Sequence, residues 1–169
     1  EPVAVMSRRE LDPEMFRSEY GVDVKVYNDY DKFLAEGDMD IVDICTPHPF
    51  HSEQAIKAAQ AGKNLVIEKP ISLDFESAVA MLEAVEKAGV RTSVCFEARF
   101  ISVARSMKSI IDQGLIGDPY YAECDYFHGI GPWYDQYAWN IKKDMGGSSL
   151  LTAGCHSVDM MLYLLGLKA

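Results

Sequence analysis

The 169-residue sequence predicts an α/β fold in which helices cover both faces of a doubly wound parallel sheet. Short apolar segments of strand length alternate with longer segments of helical periodicity through the first part of the chain. Strands that alternate with crossover helices pair in parallel. The composition, 49% hydrophobic and 25% charged, is that of an ordinary globular protein.

The first elements have recognisable start and stop residues. Residues 2–6 form an apolar strand, and the helix that follows has Asp12 as its predicted N-cap and Pro13 at its first position. Gly21 ends this helix, and residues 22–27 are predicted to form the second strand.

The same alternation continues to residue 97. The predicted elements are, in order, a short helix at 28–36, a strand at 40–45, a helix ending at Ala61, a strand at 64–67, a helix between Asp74 and Gly89, and a strand at 91–96. The helix after Asp74 has the clearest pattern, because its apolar residues recur at the i, i+3, i+4, i+7 spacing of one helix face.

The pattern changes after Phe100. A helix is predicted at 101–113, an aromatic-rich strand of a different sheet at 120–128, a loop at 129–145 and a final helix that ends at Leu165. We therefore predict two domains, residues 1–97 and residues 98–169.

Charge and composition argue against several classes of protein. The net charge of −10 argues against a nucleic-acid or anionic-membrane partner. No apolar run approaches the roughly 20 residues that a membrane-spanning helix needs, and no signal-peptide pattern is present. The four cysteines are widely spaced without a CxxC pair, so we expect free thiols, no metal site and a reducing cytoplasmic location.

The first candidate site follows the strand at 64–67. Glu68, Lys69 and Pro70 come directly after it, at the carboxyl edge where open α/β sheets bind ligands. An ammonium group there can stabilise negative charge that develops on a substrate oxygen. The alternative is a strand-end ion pair that faces water.

The second candidate site lies on the final helix. Thr152, His156 and Asp159 are spaced by four and three residues and therefore share one helix face. A histidine with a carboxylate on its own face can act as an oriented general base. The alternative for His156 is a structural histidine, and for Asp159 it is capping or solvation.

Three segments occur in an order that resembles the glucose–fructose oxidoreductase / inositol dehydrogenase / rhizopine-catabolism (Gfo/Idh/MocA) family. They are Thr46-Pro47 with His51, Glu68-Lys69-Pro70, and the run from Gly146 to Asp159. The resemblance implies a Rossmann-type dinucleotide-binding domain followed by an α/β domain with an open, mainly antiparallel sheet. It also implies a nicotinamide cofactor and reversible oxidation of a sugar or polyol hydroxyl in the cytoplasm by a homodimer or homotetramer.

Site roles are carried over by the resemblance residue by residue. Lys69 and His156 match the catalytic lysine and the histidine that takes the hydroxyl proton, and both contact substrate with Thr152 and Asp159. The cofactor-binding residues implied are Thr46, Pro47, His51, Glu68 and Lys69, with Glu97 at a position near the nicotinamide where the family often has Asn or Gln. His51 is first of all the expected start of a helix, and Glu68 either lines the nicotinamide ribose site or orients the lysine.

Two features depart from the family pattern. The family often has Asp where this chain has Thr152, which removes one negative charge from the site. No GxGxxG turn is present, so we expect the chain to start at the second strand of the dinucleotide-binding domain and to lack its central first strand.

Residues after the first predicted strand bear on the choice of cofactor. NAD enzymes usually place an acidic residue there for the ribose diol, and this chain has Ser7, Arg8 and Arg9. Guanidinium groups bind a 2′-phosphate, so the sequence favours NADP over NAD, unless both arginines are simply solvated. Two other functions stay open: a non-catalytic regulatory protein that binds a dinucleotide or sugar, and an NAD-dependent glycoside-cleaving enzyme.

Overall fold

The computed structural model describes residues 1–129 and 131–167, without the side chains of residues 133–137. Its strands are β1 Ala4–Met6, β2 Lys25–Tyr27, β3 Ile41–Ile44, β4 Asn64–Ile67 and β5 Thr92–Val94. Its helices are α1 Pro13–Tyr20, α2 Tyr30–Glu36, α3 His51–Gln60, α4 Phe75–Ala88, α5 Ser102–Asp112, α6 Lys143–Gly146 and α7 Cys155–Leu165. Each predicted strand up to residue 96 and each helix connecting these strands is therefore confirmed, most of them with shorter bounds.

All the strand pairs among the described residues are parallel, as predicted. β1 pairs with β2, and β3, β4 and β5 form a second group in that order. β1 and β3 both line a cleft of about 400 Å³. The parallel strands therefore form two groups, with β1 and β3 as the strands that border the cleft between them.

The core lies between the larger strand group and the helices that connect its strands. Val42 and Ile44 of β3 and Leu65 and Ile67 of β4 are at most 2% exposed. They pack with the buried alanines of α3 and with Met81 of α4. This core holds the carboxyl ends of β3 and β4 side by side, which places the loops after them at one edge.

The predicted helix caps are present. The Asp12 and Asp74 side chains accept hydrogen bonds from backbone N–H groups of the first turns of α1 and α4. Gly21 and Gly89 end these helices in the left-handed conformation. Local sequence is therefore sufficient to start and stop these two helices.

The region after residue 100 differs from the prediction in two places. The predicted strand at 120–128 is wrong, since these residues form no strand and Tyr120 and Phe127 are fully exposed. Their alternating pattern needs a partner strand, and the described residues provide none. The predicted loop at 129–145 contains a 3₁₀ segment at Pro132–Ile141 and then α6.

The final helix begins with an unusual turn. Leu150–Gly154 is a π-helical turn that leads directly into α7. Such turns are rare, and they are frequent at functional sites. In the parts of the chain that the structure describes, no helix combines the length and apolar character needed to cross a membrane.

Candidate active site

Sequence-predicted residues follow the carboxyl ends of four strands. Ser7 follows β1, Thr46 follows β3, Glu68 follows β4, and Glu97 begins a short 3₁₀ turn after β5. The ends of β3, β4 and β5 lie on one edge of a parallel sheet, where ligands bind, and Arg8 after β1 contacts the loop after β3 through the Phe50 ring. The final helix, with its π-turn, reaches this edge from the other part of the chain, through Lys69.

His51 joins two of the loops at this edge. Its side chain is fully buried, with Nδ1 at 2.8 Å from the Pro70 carbonyl oxygen and Nε2 at 2.7 Å from the Thr46 carbonyl oxygen. His51 is the first residue of α3, as expected, and neither ring nitrogen is left for a cofactor.

Lys69 connects the two parts of the chain. Its ammonium Nζ donates to the Thr152 carbonyl oxygen at 3.0 Å, and the peptide bond between Lys69 and Pro70 is cis. The Glu68 carboxylate accepts from the backbone N–H of Lys69 at 3.2 Å. The lysine is therefore held at the strand edge by a contact 83 residues away in sequence.

Thr152 supplies a backbone group to the site. Its carbonyl oxygen, in the π-turn, accepts from Lys69, while its hydroxyl donates to the Gly146 carbonyl oxygen at 2.9 Å. The side chain that replaces the acid typical of the family thus points to the loop before α7. The partner of the lysine is a neutral carbonyl, so its positive charge stays uncompensated by this contact.

His156 is enclosed by aromatic rings. It is 5% exposed, Tyr126 stacks on its ring at a centroid distance of 5.3 Å, and Phe96 meets it edge-on at 6.1 Å. Its Nε2 is 3.6 Å from the Glu97 carboxylate, and its Nδ1 has no hydrogen-bond partner among the described residues. Tyr126 was missed from the sequence, because it lies in the segment for which a strand of a different sheet was predicted.

The surroundings of His156 lower its pKa. Burial is the largest cause, and the ammonium of Lys69 lowers the pKa further, while the carboxylates of Glu97, Asp159 and Glu68 raise it. The net direction keeps the imidazole neutral near neutral pH. A neutral imidazole is the form that can accept a proton.

Asp159 has a different partner from the one its spacing suggested. Its carboxylate is 5% exposed and forms a two-pronged ion pair with Arg99, with one contact of 2.8 Å from Nε to Oδ2. Arg99 lies in the turn after β5 and also contacts the rings of Phe96 and Tyr163. The ion pair therefore attaches α7 to that turn, and Glu97 is the carboxylate next to the histidine ring.

Ser7, Arg8 and Arg9 lie together after β1. The Ser7 hydroxyl accepts from the backbone N–H of Arg9 at 3.1 Å, and the Arg8 guanidinium lies over the Phe50 ring at 5.1 Å. Both arginines are exposed. In the part of the chain that the structure describes, neither guanidinium forms a salt bridge, so two positive charges stay at this edge without a carboxylate partner.

His48 had no role assigned from sequence, and the structure places it between the two parts of the chain. It is 6% exposed and meets the Trp139 ring edge-on at 4.9 Å. Burial, the neighbouring His51 and Lys69 lower its pKa to about 4, although a bond with the Gly146 backbone acts in the opposite direction. The described residues contain no group of histidine, cysteine or acidic side chains suited to a metal ion.

Comparisons with known proteins cover nearly the whole chain. A sequence model of an oxidoreductase family with an NAD-binding Rossmann fold matches residues 1–96, and a model of the GFO/IDH/MocA C-terminal domain matches residues 104–169. Levoglucosan dehydrogenase of Pseudarthrobacter phenanthrenivorans is 31% identical over 144 residues, which are 82% of this chain and 36% of that protein. D-glucoside 3-dehydrogenase of Escherichia coli is 28% identical over 172 residues, which cover 100% of this chain and 48% of that protein.

Solved structures of related proteins have the same fold. Scyllo-inositol dehydrogenase from Lactobacillus casei, with bound NAD(H) and scyllo-inositol, matches with a TM-score of 0.83 and 26% identity. Aldose-aldose oxidoreductase from Caulobacter crescentus matches with a TM-score of 0.81 and 27% identity. Both matches cover 97% of this chain. They cover 48% of the scyllo-inositol dehydrogenase and 49% of the aldose-aldose oxidoreductase, so this chain spans about half of the length of each.

Proposed function

The chain belongs to the Gfo/Idh/MocA oxidoreductase family, with its NAD-binding Rossmann fold, and on that premise we propose that its protein is an NAD(P)-dependent oxidoreductase of sugar or polyol hydroxyls. One observation carries the proposal. Lys69, at the carboxyl edge of the parallel strands, is bound to the π-turn that precedes His156. The charge of Lys69 thus lies near enough to lower the pKa of His156, at the edge where this fold binds ligands.

The residues at the sheet edge fit a nicotinamide dinucleotide. Thr46, Pro47 and Glu68 would border its nicotinamide half, since they follow β3 and β4, and Ser7 with Arg8 would hold the ribose at the other end. When bound, the cofactor supplies an acceptor or donor for a hydride. The protein groups supply orientation and proton transfer.

His156 and Lys69 have complementary roles in this proposal. His156 accepts the proton of the substrate hydroxyl on Nε2, which its lowered pKa and neutral form support. Lys69 stabilises the negative charge that develops on the same oxygen. Related proteins that carry names of sugar and polyol dehydrogenases support this choice of substrate class.

Replacing these two side chains tests the assignment. In the full-length protein, His156→Ala and Lys69→Ala are each expected to lower kcat/KM by about 10²- to 10⁴-fold, the usual range for removal of acid–base groups. The measurement is the absorbance change on nicotinamide reduction across a panel of polyols and aldoses. Glu83→Gln, on the exposed face of α4, is the control.

Two outcomes contradict the proposal. Undiminished turnover in both variants would contradict the catalytic roles assigned to His156 and Lys69. Tight cofactor binding by the wild-type protein without turnover of any substrate would favour the non-catalytic regulatory alternative.

We further propose a preference for NADP over NAD. The support is the pair of exposed guanidinium groups after β1, one of them oriented over the Phe50 ring. Planar guanidinium groups bind phosphate through paired hydrogen bonds. A carboxylate that would repel a 2′-phosphate is absent from residues 7–9.

A further inference from the structure

The buried position of His156 raises the question of how its proton reaches water. In each oxidation the imidazole gains one proton, which must leave before the next cycle. The ring is only 5% exposed, with Tyr126 stacked on one face and Phe96 at its edge. Direct exchange with bulk water is therefore hindered on the sides that these rings cover.

Glu97 occupies the side of the ring where Nε2 lies. Its carboxylate Oε1 is 3.6 Å from Nε2, and its side chain is 71% exposed. This distance is longer than a hydrogen bond. An exposed glutamate retains the rotamer freedom to close the gap, and such contacts are often long in the absence of substrate.

The other charged groups around His156 are not suited to carry its proton. Lys69 donates to the Thr152 carbonyl, and Asp159 is buried in its ion pair with Arg99. Glu68 accepts from the backbone N–H of Lys69. Glu97 is the group that combines contact with the histidine and contact with water.

We propose that Glu97 is a proton relay that connects His156 with bulk water. The inference rests on the proposed function. During oxidation the substrate hydroxyl proton moves to Nε2 of His156, then from Nε2 to the Glu97 carboxylate, and then to water. The relay moves protons only, because the electron pair leaves the substrate carbon with the hydride. Reduction uses the same path in reverse.

Removal of the carboxylate separates a relay from a structural contact. In the full-length protein, Glu97→Gln keeps the shape of the side chain and removes its proton-accepting group. Steady-state kcat in dilute buffer is expected to fall about 10²-fold, the lower end of the range for loss of an acid–base group. The first turnover, followed by rapid mixing, is expected to slow much less than steady-state turnover, because His156 begins unprotonated.

Rescue by small buffers tests whether the lost group carried protons. Formate and imidazole at increasing concentration are expected to restore kcat of Glu97→Gln and to leave the wild type and Glu83→Gln unchanged. A Glu97→Asp variant, which keeps a shorter carboxylate, is expected to retain intermediate activity. The matched control Glu83→Gln removes the same charge from the exposed face of α4.

A measurement without turnover provides an independent readout. The carboxylate of Glu97 raises the pKa of His156, so Glu97→Gln is expected to lower that pKa further in an NMR titration of the histidine ring. The thermal midpoint of unfolding is expected to stay unchanged, since the side chain is exposed.

The possible results distinguish the two proposals. Full steady-state activity of Glu97→Gln in dilute buffer would overturn the relay, and so would a loss of activity that no buffer restores. Absence of turnover in the wild-type protein would instead overturn the proposed function. A slow variant that formate or imidazole rescues would support both.

Discussion

Lys69 is held by the backbone carbonyl of Thr152, although its family position suggests an acidic side-chain partner. A carboxylate would neutralise the ammonium, whereas a carbonyl oxygen orients it and leaves the charge. Positive charge next to a developing alkoxide is more effective where no nearby anion compensates it. At the residue scale, Thr152 in place of the family's Asp is therefore compatible with catalysis. It removes one negative charge from the surroundings of Lys69 and His156.

Cofactor choice is also decided by single residues. Replacing Arg8 and Arg9 together with alanine is expected to lower kcat/KM for NADP by about 10- to 100-fold, because charge-assisted hydrogen bonds contribute roughly 1.5–3 kcal/mol. The kcat/KM for NAD should change little. Initial rates with both cofactors check this, and Arg105→Ala on the exposed side of α5 is the control. A wild-type preference for NAD, or an unchanged ratio in the variant, would refute the NADP proposal.

At the scale of elements, the approach to the final helix depends on a crowded pair of glycines. A Cβ atom on Gly146 would lie 1.9 Å from the backbone carbonyl oxygen of Asn140, and one on Gly147 would lie 2.9 Å from side chains of Leu73 and Leu151. Gly147 also has a φ of +77°, which favours glycine. These contacts bring the Gly146 carbonyl to the Thr152 hydroxyl and so fix the π-turn that faces Lys69.

Substitution of Gly146 tests this packing. Gly146→Ala is expected to reduce the free energy of unfolding by more than about 2 kcal/mol, because a backbone atom has to move. Urea denaturation of the full-length protein provides the measurement. Gly21→Ala is the control, since its Cβ would meet open space and the cost is the left-handed conformation alone, about 1–2 kcal/mol. Equal losses in the two variants would show that the close approach to Asn140 is unimportant.

At the scale of the whole molecule, the two parts of the chain are joined by several separate contacts. They are Lys69 with Thr152, Arg99 with Asp159, Glu97 with His156, and His48 with Trp139. Two buried histidines take part, and burial is the first cause of the lowered pKa of both. Stability of the assembled molecule should therefore depend on pH.

The sign of this dependence follows from the lowered pKa values. His48 changes from the ordinary 6.5 to about 4 in the folded protein, so the unfolded chain binds its proton more readily. Its stabilising contribution is complete above pH 6.5 and is lost as the pH falls towards 4, by about 3 kcal/mol. His156 acts in the same direction.

Urea denaturation at several pH values between about 7 and about 4 checks the prediction. This range spans the pKa of His48 in the unfolded and in the folded protein. In His48→Asn the loss of unfolding free energy over this range should be smaller than in the wild type. Identical pH dependence in both proteins would show that His48 is not responsible. The comparison of slopes makes the test independent of any constant loss of stability in the variant.

Much of the structure up to residue 97 followed from the sequence. Asp12, Asp74, Gly21 and Gly89 act on their own helix ends, within four residues, so local pattern was sufficient to place α1 and α4. The strand predicted at 120–128 was wrong for the opposite reason. Its alternating pattern describes a surface that a neighbouring strand must cover, and in the described residues no such neighbour pairs with it.

Sequence by itself determined the strands and helices up to residue 96, their parallel pairing and most of the candidate residues, because helical periodicity, caps and strand ends are local properties. Only the tertiary structure decided which groups meet. Asp159 pairs with Arg99 across 60 residues, Lys69 bonds a carbonyl across 83, and Glu97 lies next to His156. Spacing along α7 places Asp159 and His156 on one face, but the orientation of each side chain depends on the turn packed against that face. Partner choice is therefore a property of packing between distant segments, which no local pattern contains.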